Sequence, residues 1–211
     1  MSATPKRSLC PRCDRPQVTC LCSLATPIAN RVEVIILRHP QETGNAKNTA
    51  TLLKLSLARI RVLEGETFAA ADLKNLLDDP IYTEVLLYPD TPESAALGIA
   101  SPPPLQQSAI QRPEAIRLWV LDATWRKSRK MLYLNPDLQR LPRLSLTDTP
   151  ASRYVIRKSH LPEQLSTLES TCYALHQLEQ GQVNYTPLLK AFDQFISRQL
   201  TFLPAERCNN H

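Results

Sequence analysis

Short apolar runs that alternate with amphipathic segments constrain the fold of this chain more than any other feature. Branched and aliphatic residues dominate the runs at 31–37, 60–63, 84–88 and 116–121. Segments with apolar residues at helical spacing follow the first two runs and the last one. Since strands that alternate with helices pair in parallel within one sheet, we predict an α/β protein with a parallel sheet.

Helix caps and turn residues place the helices between and after these strands. Ser166 and Glu169 have the spacing of a capping box, which predicts a helix start at that point. Residues 90–115 are rich in proline, serine and alanine and predict a long loop. We predict helices after Asn45 or Asn48 to about residue 58, after Asp72, after Thr124, at 166–180 and at 187–203, and one further short strand at 141–146.

The apolar run at 116–121 ends on a carboxylate, Asp122, and Thr124 then offers a cap for a helix. Ligands of α/β proteins bind where parallel strands end, so we expect the functional site around Asp122. The alternative is that the Asp122 carboxylate only caps the following helix and has a structural role.

The helix after Thr124 has a basic stripe on one side and an apolar face on the other. The stripe consists of Arg126, Arg129, Lys130 and Tyr133. Trp125, Ser128 and Leu132 are predicted to face the sheet. Such a stripe can hold phosphates, or it can be an ordinary solvated face, and both interpretations remain open on sequence alone.

Four cysteines form two close pairs, Cys10 with Cys13 and Cys20 with Cys22. The N-terminus lacks an apolar core of signal-peptide type, so we expect a cytosolic protein, in which disulfides are rare. We therefore predict a structural zinc knuckle at 1–26, closed by the four thiolates. Two disulfides or a redox pair are the alternative.

Charge and glycine content narrow the classes of function. The formal net charge is +5 and the sequence pI is about 9.0, which indicates an anionic partner. Arg7, Arg12 and Arg15 lie among the cysteines and suit contact with RNA. The chain has only 4 glycines, which excludes a G-x-G-x-x-G dinucleotide site and a P-loop. No apolar run is long enough to span a bilayer, so no membrane association is expected.

Six motifs in order give the chain a resemblance to the DTW-domain family, and the four cysteines match bacterial members. The motifs are His39-Pro40-x-Glu42, Asn48-Thr49-Ala50, Tyr88-Pro89, Asp122-x-Thr124-Trp125, Ser152-Arg153-Tyr154-x-x-Arg157-Lys158 and Ser166-Thr167-Leu168-Glu169. The one departure is Ala123, where the family commonly has glycine.

This resemblance implies a SPOUT-like α/β domain at 27–211, in which a C-terminal trefoil knot binds S-adenosylmethionine (SAM). It also implies the activity of a tRNA-uridine aminocarboxypropyltransferase. Such enzymes move the 3-amino-3-carboxypropyl group of SAM to N3 of a uridine, giving acp3U and methylthioadenosine. In bacterial relatives the uridine lies in the variable loop of tRNA. The expected partner is tRNA, with no obligatory protein partner.

The resemblance assigns roles to individual residues. Asp122 is the predicted catalytic residue, which either accepts the N3 proton or binds the SAM ammonium group. The predicted cofactor-binding residues are Tyr88, Pro89, Asp122, Thr124, Trp125, Arg157, Ser166, Thr167 and Glu169, with Trp125 expected mainly as a core side chain. The predicted RNA-binding residues are Arg38, His39, Arg126, Lys127, Arg129, Lys130, Arg153 and Lys158. The predicted zinc ligands are Cys10, Cys13, Cys20 and Cys22.

Two other functions fit parts of this pattern. A SPOUT-type RNA methyltransferase would use the same cofactor and release S-adenosylhomocysteine instead. A non-catalytic RNA-binding protein with a zinc knuckle would bind RNA in a salt-dependent way and would not bind SAM.

Overall fold

A parallel sheet of five strands forms the centre of the fold. The computed structural model describes residues 8–45, 47–89, 102–146, 149–150 and 165–201. The strands are β1 (Glu33–Arg38), β2 (Ile60–Glu64), β3 (Thr83–Leu87), β4 (Ile116–Asp122) and β5 (Arg143–Leu144). Their order across the sheet is β2-β1-β4-β3-β5, and every pair is parallel. The predicted α/β class and parallel sheet are confirmed.

Helices cover both faces of the sheet, as the alternating sequence pattern requires. They are α1 (Ala50–Ser56), α2 (Ala70–Leu77), α3 (Trp125–Leu134), α4 (Pro136–Gln139), α5 (Thr167–Leu178) and α6 (Thr186–Leu200). Helices α1, α5 and α6 share one apolar cluster with alternate residues of the central strands, and α2, α3 and α4 share the other. Full burial of one large apolar side chain contributes about 1.5–3 kcal/mol, so both layers stabilise the sheet.

The boundary between β1 and β4 is the point where the chain changes direction across the sheet. From β1 the chain continues outward to β2, whereas β3 and β5 lie on the far side of β4. The helices that follow β1 and β4 lie on opposite faces of the sheet, α1 on one face and α3 on the other. Such switch points form crevices at the carboxyl ends of strands. Arg38 and Asp122, which are register partners, end the two strands there.

The cysteine-rich segment packs against the main apolar cluster rather than standing apart from it. Two 3₁₀-helices, Gln17–Thr19 and Cys22–Leu24, shape the segment. Leu21 and Leu24 are each 3% exposed and belong to the same cluster as α6. Arg15, expected as a surface RNA contact, is instead buried.

Three local predictions differ from the structure. Helix α2 begins at Ala70 with Ala69 as its N-cap, so the prediction that Asp72 caps it was wrong. The backbone N–H of Phe68 donates to Asn135 Oδ1 at 2.9 Å, and this tertiary contact fixes the chain just before the helix. Strand β5 has only two residues, because the proline before it cannot donate to a ladder.

The third difference concerns Trp125, which was expected to face the sheet. It is 37% exposed and begins α3 just beyond the end of β4, past the edge of the sheet. Within the predicted loop at 90–115, the described part contains short 3₁₀-helices at Gln107–Gln111 and Pro113–Ala115. No helix among the described residues is both long and apolar enough to cross a membrane.

Candidate active site

Asp122 is buried at the end of β4 and accepts hydrogen bonds from three elements. Its Oδ1 accepts from the Thr167 hydroxyl at 2.9 Å. Its Oδ2 accepts from Asn48 Nδ2 at 2.7 Å and from Arg38 Nε at 3.4 Å. Asp122 is 4% exposed, and a buried carboxylate of this kind needs such donors to remain stable. We refer to Arg38, Asn48, Asp122 and Thr167 as the Asp122 cluster.

Local sequence explains why these side chains converge. Arg38 and Asp122 end neighbouring parallel strands in register, so their side chains lie side by side. Thr167 is the first residue of α5, whose start is fixed by the predicted capping box: Ser166 accepts from the Glu169 N–H, and Glu169 accepts from the Ser166 N–H. Ser166 and Glu169, predicted to bind the cofactor, therefore bond to each other in this structure.

The starts of α1 and α5 face each other beside Asp122. The N–H of Leu168 donates to Thr49 Oγ1 at 3.3 Å. Asn48 supports the first turn of α1, because its Oδ1 accepts from the Thr51 N–H at 3.3 Å. One end of the Asn48 side chain thus holds a helix start and the other end holds Asp122.

Two aromatic rings lie at the same edge of the sheet. Trp125 stacks on Tyr88, with ring centroids 5.2 Å apart and planes 10° apart. Burial raises the pKa of Tyr88, whose ring lies behind the more exposed Trp125. Pro89 follows Tyr88 on the surface. Thr124 occupies the N-cap position of α3 without a side-chain capping bond, so its hydroxyl does not serve the helix.

Cations line the rim, and two of them are paired with glutamates. Lys127 donates to buried Glu42 at 2.9 Å. Lys130 donates to Glu66 at 3.0 Å. This bond and the hydrogen bond from His39 lower the pKa of Glu66. His39 Nδ1 accepts from the Gln41 N–H, which places the proton of the neutral ring on Nε2, 3.1 Å from Glu66. Buried His39 is thus held on both nitrogens.

The exposed part of the rim matches the predicted stripe on α3. Arg126, Lys130 and Tyr133 are exposed and Arg129 is partly exposed on one side of the helix, and Ser128 and Leu132 are buried on the other. Three further predicted site residues, Arg153, Arg157 and Lys158, lie outside the described residues.

The four N-terminal cysteines form a compact cluster. Their sulfur atoms all lie within 4.8 Å of one another. Cys10 and Cys22 are 3.6 Å apart, and Cys13 and Cys20 are 3.7 Å apart. Zn–S bonds of about 2.3 Å in a tetrahedron place sulfurs about 3.8 Å apart, which these separations fit. A disulfide needs about 2.05 Å, and none of the described cysteines forms one.

The electrostatics of this cluster also favour a bound cation. Backbone N–H groups of Arg12 and Cys13 lower the pKa of Cys10 to about 6. Desolvation, with the neighbouring thiols, raises the pKa of Cys22 to about 12. Four thiolates this close repel one another, so a divalent metal would be needed to keep all of them deprotonated. The cluster can therefore hold a metal ion.

Sequence reasoning missed the partners of the predicted residues rather than the residues themselves. Asn48 was interpreted only as a helix cap, although its motif was a signal for the site. Glu66 received no role, and no sequence pattern links it to His39 or Lys130. Glu42 was noted as part of a motif with His39, but its pairing with Lys127 was not predicted.

The arrangement suits a ligand with an anionic group and a planar ring. Arg38 Nη2 is buried and has no hydrogen-bond partner among the described residues, so it can bind an anionic oxygen. The partly exposed Trp125 offers an aromatic face for stacking. The cationic rim on α3 suits a polyanion that approaches from outside.

Comparison with known proteins points to one family. A family model described as "DTW domain" matches residues 7–200. The chain is 32% identical to tRNA-uridine aminocarboxypropyltransferase A of Arabidopsis thaliana over 134 residues, which cover 60% of this chain and 51% of that protein. It is 30% identical to tRNA-uridine aminocarboxypropyltransferase 2 of Mus musculus over 203 residues, covering 92% and 64%. The protein of that name from Macaca fascicularis is 28% identical over 206 residues, with the same coverage.

The chain therefore spans between 51% and 64% of the length of these relatives. No solved structure matches the chain.

Proposed function

The chain belongs to the DTW-domain family, and on this premise we propose that it transfers the 3-amino-3-carboxypropyl group of SAM to N3 of a tRNA uridine. A bond forms between N3 and the transferred carbon, the bond from that carbon to the sulfonium sulfur breaks, and the N3 proton passes to Asp122 or to solvent water. The products are acp3U, in the variable loop of tRNA, and methylthioadenosine. The observation that carries the proposal is the family match, together with the shared name of the relatives.

The residues present fit SAM, which supplies an activated carbon on a sulfonium when it is bound. We propose that Arg38 Nη2 or Arg157 binds its carboxylate, because a guanidinium pairs well with that group. The ring pair of Trp125 and Tyr88 offers an aromatic surface for its adenine. Pro89 and Thr124 flank this surface at the strand ends.

Counting donors among the described residues alone, Asp122 keeps about one acceptor position for a reacting group. A carboxylate offers about four lone-pair sites, and Arg38, Asn48 and Thr167 donate to it. We propose that Asp122 uses the remaining site to orient a single donor, either the N3–H of uridine or the SAM ammonium group. A rigid clamp of this kind serves catalysis by holding reactants in line.

The rim of cations is proposed as the tRNA surface. Arg126, Arg129 and Lys130 would contact phosphates, as would Arg153 and Lys158. His39 and Lys127 would act by fixing Glu66 and Glu42 rather than by direct contact, since each is bonded to its glutamate and mostly buried, whereas the side chain of Lys130 is 58% exposed beside its bond to Glu66. N3 of uridine is hidden by base pairing, so the target uridine must be unpaired or flipped out.

We propose that the metal of the cysteine cluster is a structural Zn²⁺, because four thiolates leave no open coordination position. We further propose a zinc knuckle at 1–26 and a SPOUT-like catalytic domain at 27–211 with a C-terminal trefoil knot. The parallel sheet and the resemblance to the family support this assignment.

Mass spectrometry of nucleosides tests the proposal. Incubation of unmodified tRNA and SAM with the purified protein should yield acp-modified uridine. Asp122→Asn should reduce the rate by at least about 100-fold, as loss of a group that stabilises the reacting centre does in other enzymes. Asp137→Asn, which changes an acid on α4 that pairs with the neighbouring Arg140, is the matched control and should keep full activity. A methylated uridine would support the methyltransferase alternative instead.

A further inference from the structure

Arg15 links the metal-binding cysteines to the Asp122 cluster. We propose that it is a positioning residue through which metal binding at the knuckle fixes the geometry of Asp122. This proposal rests on the proposed function for its effect on the reaction, but its structural part can be tested without turnover.

The backbone of Arg15 is set by the first cysteine pair. The N–H of Cys10 donates to the Arg15 carbonyl at 2.7 Å, and the N–H of Asp14 donates to the Cys10 carbonyl at 2.9 Å. Asp14 has φ of 58°, so the chain makes a tight left-handed turn directly after Cys13. A metal bound to both Cys10 and Cys13 would hold the ends of this closed turn together and so fix the backbone of Arg15.

The side chain of Arg15 reaches from this turn into the body of the protein. It is 8% exposed, and its guanidinium lies over the ring of Phe195 at 5.6 Å. Its Nη2 donates to the Asn48 carbonyl at 2.8 Å, across 33 residues of sequence. A buried guanidinium is costly unless it is bonded, and the bond to the Asn48 carbonyl ties the cysteine segment to the start of α1.

Asn48 connects Arg15 to Asp122 through hydrogen bonds at both its backbone and its side chain. Its carbonyl is held by Arg15, while its side-chain amide donates to Asp122 Oδ2 at 2.7 Å. Asn48 precedes α1, and its N–H donates to the Asn45 carbonyl in the preceding loop at 2.9 Å, so without Arg15 its own carbonyl would lose the bond that ties it to the cysteine segment. The bond to Asp122 is the shortest in the cluster, and a small shift of Asn48 would lengthen it and turn the carboxylate.

A pair of variants separates positioning from packing. Arg15→Met keeps the apolar stem against Phe195 but has no donor for the Asn48 carbonyl, and Arg15→Lys restores a donor. In Arg15→Met we expect kcat to fall at least about tenfold, as for loss of other outer contacts that orient a reacting group. KM for tRNA and the zinc content should stay unchanged, and Arg15→Lys should recover most of kcat.

Hydrogen–deuterium exchange gives the readout that needs no reaction. Amides at 49–53 should exchange faster in Arg15→Met than in the wild type, and those of α2, on the opposite face, should not change. Unchanged exchange at 49–53 would overturn the proposal even if kcat fell. A zinc content lowered in Arg15→Met would also overturn it, because the effect would then be structural. If the wild type forms no acp-uridine, the proposed function fails, while the exchange result still decides whether Arg15 positions the start of α1.

Discussion

At the scale of single residues, the hydrogen-bond partners of Asp122 indicate its role more clearly than the presence of an aspartate at that position does. A carboxylate after an apolar strand could be located from the sequence, because strand ends are where α/β proteins bind ligands. Its partners could not be predicted from spacing, since Asn48 is 74 residues away and Thr167 is 45 residues away. Only the fold brings them together, and the motifs that contain them gave the single hint that they belong to one site.

Thr167 provides the sharpest test at this scale. Thr167→Val removes the hydroxyl that donates to Asp122 Oδ1 and keeps the shape of the side chain. A hydrogen bond to a charged group contributes about 1.5–3 kcal/mol. If that bond acts in the transition state, kcat should fall about 10- to 100-fold.

Single-turnover rates of aminocarboxypropyl transfer measure this effect. Thr167→Ser keeps the hydroxyl and should retain most of the wild-type rate. A Thr167→Val protein as fast as the wild type would show that this bond does not orient Asp122 for the reaction.

At the scale of elements, signals that depend on neighbouring residues predicted the structure well. The capping box at Ser166 and Glu169 forms as expected, because both bonds are made within one turn. The start of α2 was not predictable, since a contact from Asn135 fixes the chain before Asp72 can cap it. Helical periodicity placed the basic stripe of α3 on the surface, but it could not show that Lys130 pairs with Glu66.

Arg126 tests whether the stripe on α3 contacts tRNA. Arg126→Gln should weaken tRNA binding and reduce the slope of log K against log salt by about 0.7–0.9, the value for one phosphate contact. Binding titrations across a range of salt concentrations measure it. Lys190→Gln, an exposed change on α6, is the control and should leave the slope unaltered. Equal slopes for Arg126→Gln and the wild type would place the tRNA elsewhere.

At the scale of the whole molecule, the sheet and the cysteine segment act as one body. The alternation of strands and helices predicted the parallel sheet, but strand order is not encoded in any local pattern. That order places β1 beside β4 and so creates the crevice at Arg38 and Asp122. The docking of Leu21 and Leu24 on the core was equally hidden, because a short segment with four cysteines predicts a separate knuckle.

Removal of the metal tests whether the cysteine segment and the core stabilise each other. Metal analysis should find one zinc per chain, held by the four thiolates. A protein with Cys10→Ser and Cys13→Ser should lose the zinc and unfold at a lower temperature, because residues of the knuckle belong to the main core. Cys172→Ala, which changes a buried thiol remote from the cluster, should retain the zinc. Full zinc content in the double variant would contradict the assignment of the ligands.

The identity of the small product released from SAM tests the central claim most directly. Methyl and aminocarboxypropyl transfer start from the same cofactor and differ in the carbon that is held in line with the nucleophile. Chromatography of a reaction with unmodified tRNA should show methylthioadenosine that appears in step with acp-uridine and is strongly reduced in Asp122→Asn. S-adenosylhomocysteine as the product, or no tRNA-dependent product from SAM, would contradict the proposed transferase activity.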